Sequence, residues 1–218
     1  MKNKLINSIA LLFTFSLIFS QSEPQDYLSS EFHKNRRDNV RSLMPSNSVA
    51  VFFANPVRNR ANDVDYHYHQ DPNFYYLTGL REPNSILLIF SEDQKNYNNI
   101  YNELIFVQER NQLREMWNGK RLGAEGVKSK LGFDFAYTAD KFNEITPDLS
   151  NFDSVLFFDF KNDVRDNKGN SNDLFSLIEK FKIISKYPVD FDPEKEKFYD
   201  VISLAPNENS ANVAQVLK

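Results

Sequence analysis

The sequence predicts an α/β fold in which a mixed β-sheet is flanked by helices. Four short runs of apolar, β-branched and aromatic residues indicate strands that are buried on both faces, and amphipathic segments between them indicate helices. The chain of 218 residues contains 41% hydrophobic residues, including 20 Phe and 10 Tyr, which is enough to build a substantial core. Strands of this kind need cover on both faces, and the amphipathic segments supply it.

The first half of the chain holds one predicted helix and three predicted strands. The helix follows residue 26, and its apolar stripe consists of Leu28, Phe32, Val40 and Leu43. Arg36 falls on the same stripe, where its aliphatic stem can lie along apolar surface. The strands are "SVAVFFAN" at 48–55, "SILLIFSE" at 85–92 and "ELIFVQ" at 103–108. We predict a loop at 56–65, and a hairpin with a long, mobile tip between the last two strands.

The second half adds a strand between two helices. "GAEGVKSKLG" at 123–132 ends in glycine and has Val127 and Leu131 four residues apart, which predicts a short helix. "DSVLFFDF" at 153–160 is the fourth strand, and the last helix is predicted from the stripe of Leu174, Leu177, Ile178, Phe181 and Ile184. The strand pattern is lost from Tyr187 onward. We therefore predict one domain at 26–186, and a linker or the start of a further domain at 187–218.

The first twenty residues have the layout of a signal peptide. Lys2 and Lys4 give a positive start, an apolar run follows at 9–19, and small or polar residues come next where a peptidase would cut. The apolar run is about half as long as the roughly 20 residues that a membrane-spanning helix needs. We expect export to a bacterial periplasm or exterior with no stable membrane anchor, and a retained anchor is the alternative.

Charge and cysteine content exclude several classes of protein. The net charge is −4 with acids and bases interleaved, so the sequence offers no basic stripe for nucleic acid. The chain has no cysteine, which excludes disulfides, thiolate metal sites and a cysteine nucleophile.

Side chains with catalytic or metal-binding chemistry occur only in weak patterns. His67 and His69 would point to one face of a strand, which could begin a metal site, but an ordinary half-exposed strand is the stronger interpretation. Two pairs of carboxylates could serve acid–base chemistry, namely Asp63 with Asp65 and Asp71 with Glu82. The common serine-hydrolase, zinc-protease and phosphate-loop motifs are missing from the sequence.

The segment "MWNGKRLG" at 116–123 contains the only tryptophan of the chain. Its neighbours are polar and turn-forming, which favours a position near the surface, where a tryptophan can anchor a partner or ligand. Trp117, Asn118 and Arg121 are our candidates for an interface or a substrate entrance. A tryptophan buried in its own domain is the equal alternative.

These segments together resemble the N-terminal domain of aminopeptidase P, an Xaa-Pro aminopeptidase of the creatinase/prolidase superfamily. The matching pieces are "RRDNVRSLMP", "SVAVFFANP", "NDVDYHYHQDPNFYYLTGLREPNSILLIF", "ELIFVQERNQLREMWNGKRLG" and "KLGFD". The resemblance implies a mixed sheet with a ribonuclease H-like motif. It also implies a structural signature made of Phe74, Tyr75, Tyr76, Gly79, Glu82 and Pro83. His69 stands where relatives often carry arginine.

The resemblance further implies what the rest of such a protein does. Relatives release the N-terminal residue from peptides whose second residue is proline, using two divalent metals, usually manganese, in a C-terminal domain. We expect no catalytic residue, metal ligand or cofactor in this chain. Its implied role is to build a homo-oligomer and to wall the active-site entrance. The alternative is a free-standing module that binds peptides or a partner.

Overall fold

The computed structural model describes residues 28–96, 99–158 and 160–187, together with the backbone of 198–200. The helices are α1 (Ser30–Leu43), α2 (Pro72–Thr78), α3 (Gln112–Asn118), α4 (Gly123–Leu131), α5 (Phe142–Ile145) and α6 (Leu174–Ser185). The strands are β1 (Ser48–Phe53), β2 (Asn59–Ala61), β3 (Val64–Asp65), β4 (Ile86–Asn96), β5 (Asn99–Val107), β6 (Ala136–Thr138), β7 (Ser154–Phe157) and β8 (Phe198–Asp200). The predicted signal peptide lies outside the described residues.

The main sheet is mixed, as the sequence predicts. Its six strands lie in the order β6-β5-β4-β1-β7-β8. β4 runs antiparallel to both β1 and β5, whereas the pairs β1–β7, β5–β6 and β7–β8 are parallel. Parallel neighbours need long crossover connections, and the helical segments supply them.

Helices cover both faces of the sheet because successive strand residues point to opposite sides. On one face, Ala50 and Phe52 of β1 join a core that includes residues of α1, α2 and α4. On the other face, Val49 and Val51 join a core that includes residues of α5 and α6. The continuous apolar runs in the sequence therefore reflect burial on both sides, and the predicted α/β class is confirmed.

Helix α1 buries a different side from the one that its apolar stripe predicts. His33, Arg37 and Val40 are its buried residues, whereas Leu28, before the helix, is 40% exposed. The predicted helix is present and Val40 of its stripe is buried, but the charged Arg37 lies on the buried side while Phe32 and Leu43 are only half-buried. The Arg37 guanidinium donates to both carboxylate oxygens of Glu103, at 2.9 Å each, and to the carbonyl oxygen of Leu77 at 2.8 Å.

Aromatic packing and a second arginine complete the surroundings of this ion pair. The Arg37 guanidinium lies 3.9 Å from the ring centroid of Phe133, a cation–π distance. Arg41 donates to the same Glu103 carboxylate at 3.0 Å. The pair therefore joins α1 to the middle of β5, which a hydrophobic pattern alone does not predict.

Three further predictions differ from the structure. The predicted loop at 56–65 contains the β2–β3 hairpin. β4 and β5 continue into the predicted tip, where residues such as Lys95 and Ile100 are paired across the two strands. Backbone hydrogen bonds extend the hairpin there, and they do not require an apolar sequence pattern. The tail contains the short strand β8, although its sequence carries no strand pattern. Within the described part of the chain, no helix is long and apolar enough to cross a membrane.

Candidate functional site

An open cleft lies at one end of the strands of the main sheet. β1, β5 and β7 finish at this end and β4 begins there. The cleft has a volume of about 1070 Å³, and its walls include Pro56 after β1, Asn84 before β4, Gln108 after β5 and Val164 after β7. In α/β proteins, ligands commonly bind outside the carboxyl ends of the strands. We refer to this feature below as the cleft.

Gln70 fixes three of the segments around the cleft relative to one another. Its side-chain oxygen accepts hydrogen bonds from the backbone N–H of Asn55 and the hydroxyl of Tyr68, both at 2.9 Å. Its amide nitrogen donates to the carbonyl oxygens of Leu80 and Glu82, at 3.2 and 2.8 Å. The sequence analysis missed Gln70, because a single polar residue in a loop carries no pattern.

Tyr68 remains a hydrogen-bond donor in this arrangement. Burial raises the pKa of its hydroxyl well above the ordinary value, and the charge of Asp71 adds to that effect. The hydroxyl also donates to the carbonyl oxygen of Asn55 at 3.2 Å. The loop after β1 is thereby held by a neutral, protonated tyrosine.

Glu82 anchors the loop that carries Arg121. One carboxylate oxygen accepts a hydrogen bond from the backbone N–H of Leu122 at 2.7 Å, and the side chain is almost fully buried. The other oxygen is buried and has no hydrogen-bond partner among the described residues. Burial raises the pKa of the Glu82 carboxyl, although the Leu122 amide and the Arg121 charge act in the opposite direction.

The two proposed carboxylate pairs have other roles in the structure. Asp71 caps α2, since its carboxylate accepts from the backbone N–H of Asn73 and Phe74 at 3.0 and 3.1 Å. Asp65 accepts a hydrogen bond from the side chain of Asn59 at 3.4 Å, within the β2–β3 hairpin. Asp71 and Asp65 thus each form a local structural contact.

The family signature "DPNFYYLTG" forms α2, a helix that the sequence analysis did not predict. Phe74 is fully buried, while Tyr75 and Tyr76 are half-buried, with their ring centroids 5.9 Å from His33 and 5.6 Å from Phe32 of α1. An Asp-Pro start and a glycine stop are helix-boundary signals that were present in the sequence.

Gly79 ends α2 in a left-handed conformation, with φ of 71°. A Cβ atom at this position would lie 2.9 Å from Nε2 of His33, so both the backbone angle and the close approach favour glycine. Pro83 is buried beside Glu82 where the chain turns into β4.

Trp117 lies on the exposed helix α3 and is 89% exposed. Leu113 and Met116 are 75% and 79% exposed, and the spacing of the three residues places them on one face of the helix. The helix begins at Asn111, whose side chain accepts from the backbone N–H of Leu113 and Arg114. Within the described part of the chain, Trp117 is thus a surface residue rather than a core residue.

The other two candidates next to Trp117 line the cleft. Asn118 ends α3, and Arg121 follows on the loop that Glu82 anchors. The Nε atom of Arg121 is buried and has no hydrogen-bond partner among the described residues. The structure therefore brings Asn118 and Arg121 to the cleft, while Trp117 belongs to the neighbouring apolar surface of α3.

His67 and His69 do not form the expected strand pair. β3 ends at Asp65, and both imidazoles are exposed, with ring centroids 5.5 Å apart. Over the described ranges, no group of three or more His, Cys, Asp or Glu side chains could hold a metal ion.

Comparison with known proteins assigns the domain to a family. A family model described as the N-terminal domain of aminopeptidase P matches residues 33–157, which is more than half of the chain. The chain belongs to this family. An aminopeptidase P N-terminal domain is also consistent with the mixed sheet flanked by helices.

The relatives of this domain include proteins from bacteria and animals. An Xaa-Pro aminopeptidase of Haemophilus influenzae is 35% identical over 122 residues, which are 56% of this chain and 27% of the relative. Human Xaa-Pro aminopeptidase 3 is 31% identical over 156 residues, which are 68% of this chain and 31% of the relative.

Solved structures show the same fold. Aminopeptidase P from E. coli with the inhibitor Pro-Leu matches with a TM-score of 0.55 and 24% identity, over 72% of this chain and 33% of that chain. Proline aminopeptidase P II from Yersinia pestis matches with a TM-score of 0.51 and 28% identity, over 71% and 34%. The chain spans about a third of each of these four relatives.

Proposed function

We propose that this chain is the non-catalytic N-terminal part of a metal-dependent Xaa-Pro aminopeptidase, and that it builds a homo-oligomer and walls the active-site entrance. The observation that carries the proposal is the exposed apolar face of α3, formed by Leu113, Met116 and Trp117. A cluster of large apolar side chains on the surface is typical of an interaction site, and tryptophan is enriched at the energetic centres of interfaces.

Family membership supports the substrate class of this proposal. The relatives are named for release of a residue that precedes proline. Peptides with proline in second position are therefore the proposed substrates of the whole protein. The two divalent ions, manganese by resemblance, are proposed to lie outside this chain, and the described residues offer no fitting cluster for them.

Export completes the proposal. Lys2, Lys4 and the apolar run at 9–19 are the support, and the proposed destination is a bacterial periplasm or exterior. The absence of cysteine is compatible with an oxidising compartment, because no thiol is present to oxidise there.

Light scattering on the purified chain tests the assembly role. We expect a mass that is a multiple of the subunit mass, which is 25.5 kDa for the full chain and lower if the signal peptide is cleaved. The double variant Trp117→Ser with Leu113→Ser should be monomeric. Ile183→Ser is the matched control, because Ile183 is 74% exposed on a different helix, α6. A wild-type monomer at all concentrations would contradict the assembly role.

A peptidase assay tests the non-catalytic role. The purified chain is mixed with an X-Pro-containing peptide and manganese, and release of the first residue is measured. We expect no release. Activity that survives purification and disappears with a chelator would show that this chain carries a metal centre itself, and would overturn the proposal.

A further inference from the structure

The cleft is positively charged although the chain as a whole carries a net charge of −4. Three carboxylates line it, those of Asp65, Asp166 and Asp173, against five cationic side chains, those of Arg81, Arg114, Arg121, Arg165 and Lys168. A concave surface with an excess of one sign of charge concentrates ligands of the opposite sign.

Among the described residues, the three carboxylates that line the cleft form no ion pair with its cations, although Glu82 and Glu115 interact electrostatically with Arg121. Asp173 caps α6, and its two carboxylate oxygens accept from the backbone N–H of Ser176 and Asn167, both at 2.9 Å. Arg81 contacts Tyr75, whereas Arg114, Arg121, Arg165 and Lys168 form no ion pair among the described residues.

Arg121 is the cation best placed to recognise an anion. It lies on the loop fixed by the hydrogen bond between Glu82 and Leu122, and its buried Nε has no hydrogen-bond partner among the described residues. Arg114 and Arg121 both line a smaller niche next to Asn118, together with Glu109 and with Glu115, which is paired with Arg110. Guanidinium groups present paired donors that match the two oxygens of a carboxylate.

We propose that the cleft binds the carboxylate of a peptide, with Arg121 and Arg114 as its main partners and with Arg165 and Lys168 as further cations that line it. The inference rests on the proposed function, because that function supplies peptides as the ligand class. Ligand binding at this end of the strands would then hold peptides near the proposed active-site entrance.

Calorimetric titration of the full chain with three blocked peptides tests the proposal. Acetyl-Ala-Pro-Ala carries an α-carboxylate, its C-terminal amide carries none, and acetyl-Ala-Pro-Asp-amide carries only a side-chain carboxylate. We expect at least one of the two acidic peptides to bind at least tenfold more tightly than the amide, and their ranking identifies the source of the carboxylate. Affinity should fall as salt is raised, since the charges of the cleft are solvent-accessible.

Substitutions then locate the binding. Arg121→Gln should abolish the preference for carboxylate, and Arg121→Lys should restore part of it, because charge remains while the paired donors are lost. Should Arg121→Gln fail to fold, Lys168→Gln and Arg165→Gln alter exposed side chains and should each weaken binding severalfold. Lys130→Gln is the control, because Lys130 is an exposed cation on α4 that does not line the cleft.

Equal binding of acid and amide peptides, or no binding of any, would overturn the proposal. So would equal effects of Lys168→Gln and Lys130→Gln. The test needs no metal and no turnover, so its failure is separate from failure of the assembly or peptidase predictions above.

Discussion

Arg37 shows how strongly one residue can redirect a helix. It is fully buried and forms a two-bond ion pair with Glu103, whose side chain is 12% exposed. Two buried charges lose much hydration, and good geometry is needed to offset that loss. The paired donors, the Leu77 carbonyl and the Phe133 ring supply this geometry, so the side of α1 that carries Arg37 faces the sheet.

Removal of Glu103 should therefore be severe. Glu103→Ala leaves the Arg37 charge buried without its partner, and we expect a loss of about 3–5 kcal/mol in the free energy of unfolding. Urea denaturation measures it. The control is Glu144→Ala, which breaks an exposed pair with Lys141 and should cost less than about 1 kcal/mol. Similar costs for the two substitutions would contradict the role of the buried pair.

Glu82 illustrates a buried carboxyl whose environment opposes ionisation. Burial raises its pKa, so the folded chain holds this proton to higher pH than the unfolded chain does. The folded state then binds more protons than the unfolded state as the pH rises from the ordinary value of 4.5, and this group makes stability fall over that range.

The substitution Glu82→Gln should remove this dependence. The amide carries no charge, and its oxygen can still accept from the Leu122 N–H. We expect the variant to be more stable than wild type at neutral pH, with the advantage shrinking as the pH is lowered through the carboxyl pKa. Thermal unfolding from pH 4 to pH 8 measures it. The control is Glu109→Gln, an exposed substitution whose stability should depend on pH as that of wild type does. The same dependence of stability on pH in Glu82→Gln as in wild type would refute this account.

Among the helices, α6 follows its sequence pattern closely. Leu174, Leu177, Ile178 and Phe181 are buried as the spacing predicts, and the Asp173 cap fixes where the helix begins. The pattern was clear because the buried residues within the helix are apolar apart from Ser185, and Leu177 and Phe181 join the apolar core on that face of the sheet. Helix α1 lacks that uniformity, and its stripe misled the prediction.

The buried stripe of α6 predicts a contrast between two aliphatic truncations. Leu177→Ala removes a fully buried side chain and should cost about 2–5 kcal/mol of unfolding free energy, since a cavity remains. Ile183→Ala removes a side chain that is 74% exposed, and should cost less than about 1 kcal/mol. Chemical denaturation of both variants checks the pair, and equal costs would place α6 off the sheet.

At the scale of the whole molecule, the described residues form one α/β unit with a cleft at one end of the strands and an apolar helix face beside it. The peptidase relatives are between three and four times as long as the part that matches. The proposed function assigns assembly and peptide access to this unit and the metal chemistry to other parts of such a protein. The cleft and α3 are neighbours, because Asn118 ends that helix and lines the cleft.

The export proposal also belongs to this scale. Expression of the full chain in a bacterium should yield a periplasmic product that has lost about the first 20 residues, as signal-peptide layouts predict. Intact-mass measurement after osmotic shock detects the cleavage. Replacement of Leu11 and Leu12 by Asp should keep the product cytoplasmic and uncleaved, and a cytoplasmic, full-length wild type would count against export.

The sequence by itself determined the class of the fold and the positions of its main strands and helices. Runs such as "SILLIFSE" can be stable only where both faces are covered, so burial follows directly from composition and order. The family could also be recognised from the sequence, because "DPNFYYLTGLREP" and "WNGKRLG" retain the residues and the spacing of the family pattern. Asp71, Pro72 and Gly79 carry the local boundary signals of α2.

Only the tertiary structure decided which polar residues work together. Glu82 and the Arg121–Leu122 loop are 40 positions apart and meet because strand ends from different segments lie at the same end of the sheet. Arg37 and Glu103 likewise pair across 66 positions. An apolar side chain can be buried against almost any other apolar group, so its burial is visible as a periodic pattern in the local sequence. A hydrogen bond or an ion pair instead needs a particular partner in a particular geometry.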